Sequence, residues 1–340
     1  MTAKETIHNA CTLQATERQP AALFLGGSWA LYTNGIAMEK ALAMPPGEVA
    51  DILFQAYRSS GTDIVWAAPG SGNLLVKALG GKLKFRPAGP PDIIEAIIKN
   101  SDDIDHIDVE SVKKDPAMRT LMEITKHIVD NTSGVYAVGG SMWGPLTMAG
   151  LLYGAESLMR DIRRNKEAVH RLLSFTADLY LSYVEGYIKN GVDIIAMGEP
   201  TASGDMISRE HFAEFAVPAL KKIYTALGKK NVITGIHICG NTEDRLDLIA
   251  GTGAQFVSLD YKVSLQKARS ILNGKMAFAG NMDPVAVIQH GTLEEVARAC
   301  EQCIASAGAG PGFILMPGCD IPPATPPENI RAMTQLRRSL

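Results

Sequence analysis

The chain has no run of about 18 apolar residues free of charge, and so offers no transmembrane helix. It also lacks an excess of charge of either sign. The 33 Lys and Arg against 36 Asp and Glu give a formal net charge of -3, and no basic run stands out. Neither nucleic acid nor a membrane surface is therefore expected as a partner. Cysteine is scarce, with 5 in 340 residues, too few for a disulfide scaffold. The start, Met1-Thr2-Ala3-Lys4-Glu5-Thr6, lacks the apolar core of a signal peptide. A cytoplasmic location is expected, where thiols stay reduced. Aromatic residues make up 6%, including only three tryptophans, Trp29, Trp66 and Trp143.

Apolar residues, by contrast, make up 46% of the chain, enough for a large core. Length alone allows one α/β barrel or two domains. Eight short apolar runs recur, at 21–27, 63–69, 136–144, 193–200, 232–239, 256–262, 276–283 and 313–319. Several are continuously hydrophobic, as in Ile194-Ile195-Ala196-Met197, which suits parallel strands buried on both faces. Segments with helical periodicity follow them in turn, at 48–59, 117–131, 158–190, 208–228, 241–251, 265–273, 293–308 and 328–338. Eight alternating units predict an α/β fold, a (β/α)8 TIM barrel forming a single domain over 1–340. Residues 1–20 read as an N-terminal helical cap, and 82–86, bordered by Gly-Gly and Pro, as a small added hairpin.

The chemistry-bearing residues collect at the ends of the later runs. His237 and Cys239 close the fifth, Asp260 the sixth, Asn281 and Asp283 the seventh and Cys319 the eighth. In this fold the C-terminal strand ends form the active-site mouth. Spacing two places His237 and Cys239 on one face of a strand, about 6.6 Å apart along it, a gap that metal bonds close once the strand bends into its loop. One His and two Cys leave a fourth position for substrate, the pattern of a catalytic rather than a structural zinc site. The bland alternative is core filling, since free Cys is often buried. That alternative is preferred for Cys300 and Cys303, three apart in a helix without a His, and for Cys11. Glu199, Asn281 and Asp283 are expected to line the cavity, with turn chemistry as the competing explanation. The three tryptophans fall in or just after the first three runs and form either an aromatic substrate pocket or packing beneath the cap.

Three segments carry a family resemblance: Ala279-Gly280-Asn281-Met282-Asp283-Pro284, Gly291-Thr292-Leu293-Glu294-Glu295-Val296 and Thr325-Pro326-Pro327-Glu328-Asn329-Ile330. They resemble the uroporphyrinogen decarboxylase superfamily. The His-x-Cys and Pro-Gly-Cys elements resemble its methylcobamide:coenzyme M methyltransferase branch. That resemblance implies a zinc-dependent barrel with His237, Cys239 and Cys319 as ligands and with Asp260 as a displaceable fourth ligand or a base. It further implies methyl transfer between a corrinoid carried by a separate partner protein and a small substrate, a thiol such as coenzyme M. Three alternatives stay open: demethylation of a methoxylated or other methylated donor onto reduced corrinoid, uroporphyrinogen decarboxylation, and a non-catalytic zinc scaffold. Decarboxylation is disfavoured because arginines suited to a polycarboxylate are missing from Phe24-Leu25-Gly26-Gly27-Ser28-Trp29, which follows Arg18-Gln19-Pro20. Asp63 occupies the approximate place of the decarboxylase acid.

Overall fold

The computed structural model describes residues 1–336. Seven parallel strands form one curled sheet in the order β1, β4, β5, β6, β7, β8, β9. They are β1 (Ile64–Trp66), β4 (Ala137–Trp143), β5 (Ile194–Gly198), β6 (Ile233–Ile238), β7 (Phe256–Leu259), β8 (Ala277–Met282) and β9 (Phe313–Pro317). Every residue of β5 through β9 is buried, as expected of strands covered on both faces. The architecture is that of a TIM barrel.

The first expected strand, 21–27, is a correction. Only Ala21 bridges to Leu315 of β9. Hydrogen bonds from Leu315 N to the Pro20 carbonyl (2.9 Å), from Ala22 N to that of Leu315 (3.0 Å) and from Asp63 N to that of Ala21 (2.9 Å) span the gap between β9 and β1. The ladder then stops because Leu25 (φ 64°) and Gly26 (φ 89°) turn left-handed and helix Gly27–Tyr32 begins. Beneath it, Arg18 clamps the buried Asp63 with two bonds of 2.7 Å, and Ala21 N donates to the same carboxylate.

Helix Ala3–Cys11, held by a Thr2/Glu5 capping box, sits at the N-terminal ends of the strands. Lys4 N donates to the Val135 carbonyl, and its ammonium meets Asp193 at 2.6 Å, just ahead of β4 and β5. The cap therefore covers the floor of the barrel, opposite the mouth. The added hairpin is present but wider than 82–86: β2 (Lys82–Lys84) pairs antiparallel with β3 (Asp92–Glu95) across a Pro-rich loop. The expected helix 158–190 is two helices, Ala155–Arg164 and Lys166–Asn190, split where Asn165 caps the second. The last helix spans Pro327–Gln335; residues 337–338 of its expected range lie outside the described residues. Among the described residues, no helix is long and apolar enough to cross a membrane.

Candidate metal centre

β6 ends at Ile238, so His237 is its last inward-facing residue and Cys239 begins the loop beyond it. The imidazole is buried and lies on Phe24, with ring centroids 4.8 Å apart. Its Nδ1 is 3.1 Å from both the carbonyl and the hydroxyl oxygen of Ser258 on β7. Because the carbonyl only accepts, Nδ1 carries the proton, and the lone pair of Nε2 points the other way. That direction leads to Cys239 Sγ at 3.1 Å. Cys319, just past β9, brings its Sγ within 3.6 Å of that of Cys239. Gly318 makes this approach possible: a Cβ there would stand 2.5 Å from the Tyr261 backbone nitrogen.

The three donor atoms, from two strand ends 80 residues apart in the chain, lie within 4.8 Å of one another. Two sulfurs on a tetrahedral zinc, each about 2.3 Å from the ion, stand about 3.8 Å apart, so the observed 3.6 Å fits that edge. The nitrogen–sulfur separation of 3.1 Å is a few tenths of an ångström inside its own edge of about 3.6 Å. A soft N,S,S donor set suits zinc or copper(I) and not the oxygen-seeking cations. Burial disfavours the imidazolium of His237, but the hydrogen bond and charge of Cys319 outweigh it and raise the pKa. The hydrogen bond between the two thiols lowers the pKa of Cys239 and raises that of Cys319, and burial raises Cys319 further.

Asp260 stands outside this donor set. One carboxylate oxygen accepts from Gly240 N (2.8 Å) and the other from Lys262 N (3.0 Å), which ties the Cys239 loop to the end of β7. Asn281 donates to the Asp260 carbonyl (2.9 Å) and to that of Val263 (2.6 Å), bracing the same corner. Asp283 caps the helical turn Pro284–Gln289 by accepting from Val285 N and Ala286 N. Glu199 is fully buried and accepts from the amides of Leu146 (2.6 Å) and Thr147 (3.2 Å) at a helix start. Burial pushes its pKa up to about 7 against those hydrogen bonds.

Beside the centre, over the ends of β1, β4 and β5, opens a cleft of about 640 Å³ including its solvent-facing side. The half-buried Trp143 lines it and Trp66 backs it, 2% exposed with its indole N–H on the Leu23 carbonyl, whereas Trp29 is a core residue, 1% exposed, whose indole N–H donates to the Thr325 carbonyl. Trp143 is fixed by a 2.6 Å bond from its indole N–H to Asn73. Backbone presses on both its sides: a Cβ at Gly72 would meet the indole at 2.3 Å and one at Gly198 at 2.8 Å. Sequence reasoning missed Asp320 as a member of the site. It also lines the cleft, accepts from Gly26 N at 2.8 Å, and has its pKa raised to about 7 by burial. Its position, next to Cys319 at the last strand end, was the available signal.

The uroporphyrinogen decarboxylase (URO-D) family model matches residues 2–340. A methylcobamide:CoM methyltransferase of Methanosarcina acetivorans is 30% identical over 349 residues, covering 99% of this chain and 98% of its own. Its counterpart in Methanosarcina mazei is 31% identical over the same shares. Among solved structures, a methyltransferase from Methanosarcina mazei superposes with a TM-score of 0.87 at 23% identity over 98% of each chain, a likeness of fold. The chain belongs to the uroporphyrinogen decarboxylase family.

Proposed function

We propose that this protein is a zinc-dependent methyltransferase that moves a methyl group between a corrinoid carried by a separate protein and a small thiol. The observation that carries this reading is the convergence of His237 Nε2, Cys239 Sγ and Cys319 Sγ at the mouth of the barrel. The names of the two methylcobamide:CoM methyltransferases that match nearly the whole chain support it. Zinc held by His237, Cys239 and Cys319 would supply a Lewis acid that keeps a substrate sulfur as the reactive thiolate.

The remaining work belongs to this chain's own residues. Ser258 fixes the tautomer and direction of His237, and Asp260 anchors the Cys239 loop through Gly240, so both are positioning residues. In the transfer a carbon–sulfur bond forms and the cobalt–carbon bond breaks, leaving its electron pair on cobalt while the thiol proton passes to solvent. Holding the sulfur in line with the methyl group supplies much of the rate. Exposed apolar side chains on the mouth loops, Met206 (52%) and Tyr261 (47%), offer a rim for the corrin face or its carrier. A cytoplasmic setting would keep both cysteines reduced.

Two alternatives weaken on geometry. The decarboxylase reading would use Asp63, but that carboxylate precedes β1 at the floor of the barrel, engaged by Arg18, and no Arg among the described residues lines the cleft. A non-catalytic scaffold would leave the aromatic cleft beside the metal without a purpose. Demethylation of a methoxylated aromatic onto reduced corrinoid keeps one supporting observation, the Trp66 and Trp143 walls. The test is to incubate the zinc-loaded protein with methylcobalamin and thiols, anaerobically and in the dark, while following the corrinoid spectrum. Demethylation is expected, lost in Cys239→Ala and Cys319→Ala together with zinc. Transfer that persists in either variant overturns the proposal, and methoxylated aromatics with cob(I)alamin test the reverse direction.

A further inference from the structure

We infer that the groove between helix Ala155–Arg164 and segment 206–211 docks the corrinoid-carrying partner by receiving an acidic segment of that protein. The inference rests on the methyl-transfer reading for the identity of the partner and adds the surface that receives it. Helix Ala155–Arg164 follows the helix that starts at the end of β4, and segment 206–211 follows β5, so both walls belong to the rim of the mouth. The second wall is also joined to the metal loop. Gly204 N donates to the Asn241 carbonyl at 3.0 Å, and a Cβ at Gly240 would stand 2.4 Å from both Ser203 Oγ and Asp205 Oδ2. A body seated in the groove therefore lies next to the loop that begins with Cys239.

The groove encloses about 1010 Å³ including its solvent-facing side. Its base is apolar, formed by Met159, Ile162 and Ile207, and Met206 stands 52% exposed at its edge. Spacings of three and four residues put Arg160, Arg163 and Arg164 on one face of the helix, and all three are exposed. Arg160 meets Asp161 only at 3.6 Å, and that carboxylate already accepts from the Tyr153 hydroxyl at 2.6 Å. Among the described residues, Arg163 and Arg164 form no ion pair. Neighbouring cations are neutralised, Arg209 by Asp247 at 2.6 Å and Lys166 by Glu214 at 2.8 Å, whereas Glu156 is the one carboxylate lining the groove. Like charges at these spacings destabilise a helix, and carboxylates arriving on a partner relieve that repulsion. In a chain of net charge -3 this face has the opposite sign, so an acidic protein is drawn to it and turned toward the mouth. Arg and Met around an apolar base are residue types that anchor protein interfaces. Three arginines on one short helix make no track for the phosphates of a nucleic acid.

The experiment compares a methyl donor carried on a protein with the same donor free. The probes are the corrinoid proteins of the source organism, purified by their cobalt chromophore and methylated, and free methylcobalamin, with mercaptoethanesulfonate as acceptor. In the double variant Arg163→Gln with Arg164→Gln, kcat/KM for a protein-bound donor is expected to fall about tenfold or more, through KM. The wild-type rate with that donor is expected to fall steeply with added salt. Free methylcobalamin needs no docking and is expected to give equal rates in both proteins, with equal zinc content. Arg163→Lys with Arg164→Lys keeps the charge and is expected to recover most of the loss. An unchanged kcat/KM for every protein-bound donor overturns the inference, as does an equal loss with the free donor. A second readout needs neither metal nor turnover: surface plasmon resonance of the same corrinoid proteins on metal-free wild type and double variant. Binding weakened about tenfold in the variant supports the inference. No binding, or binding that the variant retains in full, overturns it, as does arginine-dependent binding of polyuridylate or anionic vesicles in place of a corrinoid protein. If free methylcobalamin is not demethylated, the methyl-transfer reading fails, and the binding comparison still decides the surface.

Discussion

From β6 to β9 the chain is regular, and from residue 21 to residue 153 it is not. In the regular part every strand residue is buried, and His237 and Cys239 sit where β6 ends while Cys319 lies just past β9. In the irregular part, the first strand position is reduced to a bridge. Short helices (Gly27–Tyr32, Met38–Ala43, Ser71–Ala78 and Pro145–Tyr153) and a hairpin are inserted around β1 and β4. These insertions share the cleft lining with the ends of β1, β4 and β5, contributing Gly27, Ser28, Ser71, Gly72, Asn73 and Pro90. On the proposed function, metal-holding would fall to a part whose geometry the barrel itself fixes, and recognition would be shared with added elements.

Glu199 joins the two parts and is the first place to break the comparison. Its amide donates to the His237 carbonyl at 2.7 Å, while its carboxylate accepts from Leu146 and Thr147 in the irregular part. The folded pKa is about 7 against an ordinary 4.5, because burial favours the protonated form. Its contribution to stability is therefore fully present below about pH 4.5 and is lost as pH rises through about 7. The difference corresponds to about 3 kcal/mol. Urea unfolding of wild type and Glu199→Gln across this range is expected to show a loss in wild type that the variant lacks. Parallel pH profiles would mean that the carboxyl is not held in its protonated form.

The regular part was the legible one. β5 to β9 are continuous apolar runs because both faces are covered, and their alternation with helical segments made the fold legible. The irregular part was obscure for physical reasons. Run 21–27 has strand composition, but the chain turns left-handed already at Leu25, a residue type that does not announce such a turn. The inserted helices are six to nine residues long, too short for periodicity to separate them from loops. Trp29, expected in the pocket, finds its hydrogen-bond partner 296 residues away at Thr325, and no local pattern announces such a contact. Asp260 and Asn281 stand at the ends of β7 and β8, but their engagement with backbone groups of neighbouring loops could be seen only in three dimensions.

A smaller perturbation sharpens the division of labour. Gly72→Ala would drive a methyl group into the Trp143 indole, which Asn73 and the Gly198 backbone hold on its other sides. Overpacking of this kind costs about 2 kcal/mol or displaces the ring. The expected outcome is a several-fold rise in KM for the small substrate with zinc content unchanged, read by steady-state kinetics and metal analysis of the same preparation. A fall in zinc content would show that cleft and metal centre are not separable.

The smallest expected effect concerns Asp283, which sequence placed at the mouth and which the structure shows accepting from Val285 N and Ala286 N. Losing an N-cap of this kind costs about 1 kcal/mol. Asp283→Ala should lower the urea midpoint accordingly, while Asp283→Asn, able to accept the same bonds, should recover most of the loss. With the cap as its only task, methyl transfer per folded molecule stays the same in both variants, because the donors belong to β6 and β9 and not to the turn it caps. A drop of tenfold or more in both variants would instead give its negative charge a role at the mouth, and the regular part would then contribute to recognition as well as to metal binding.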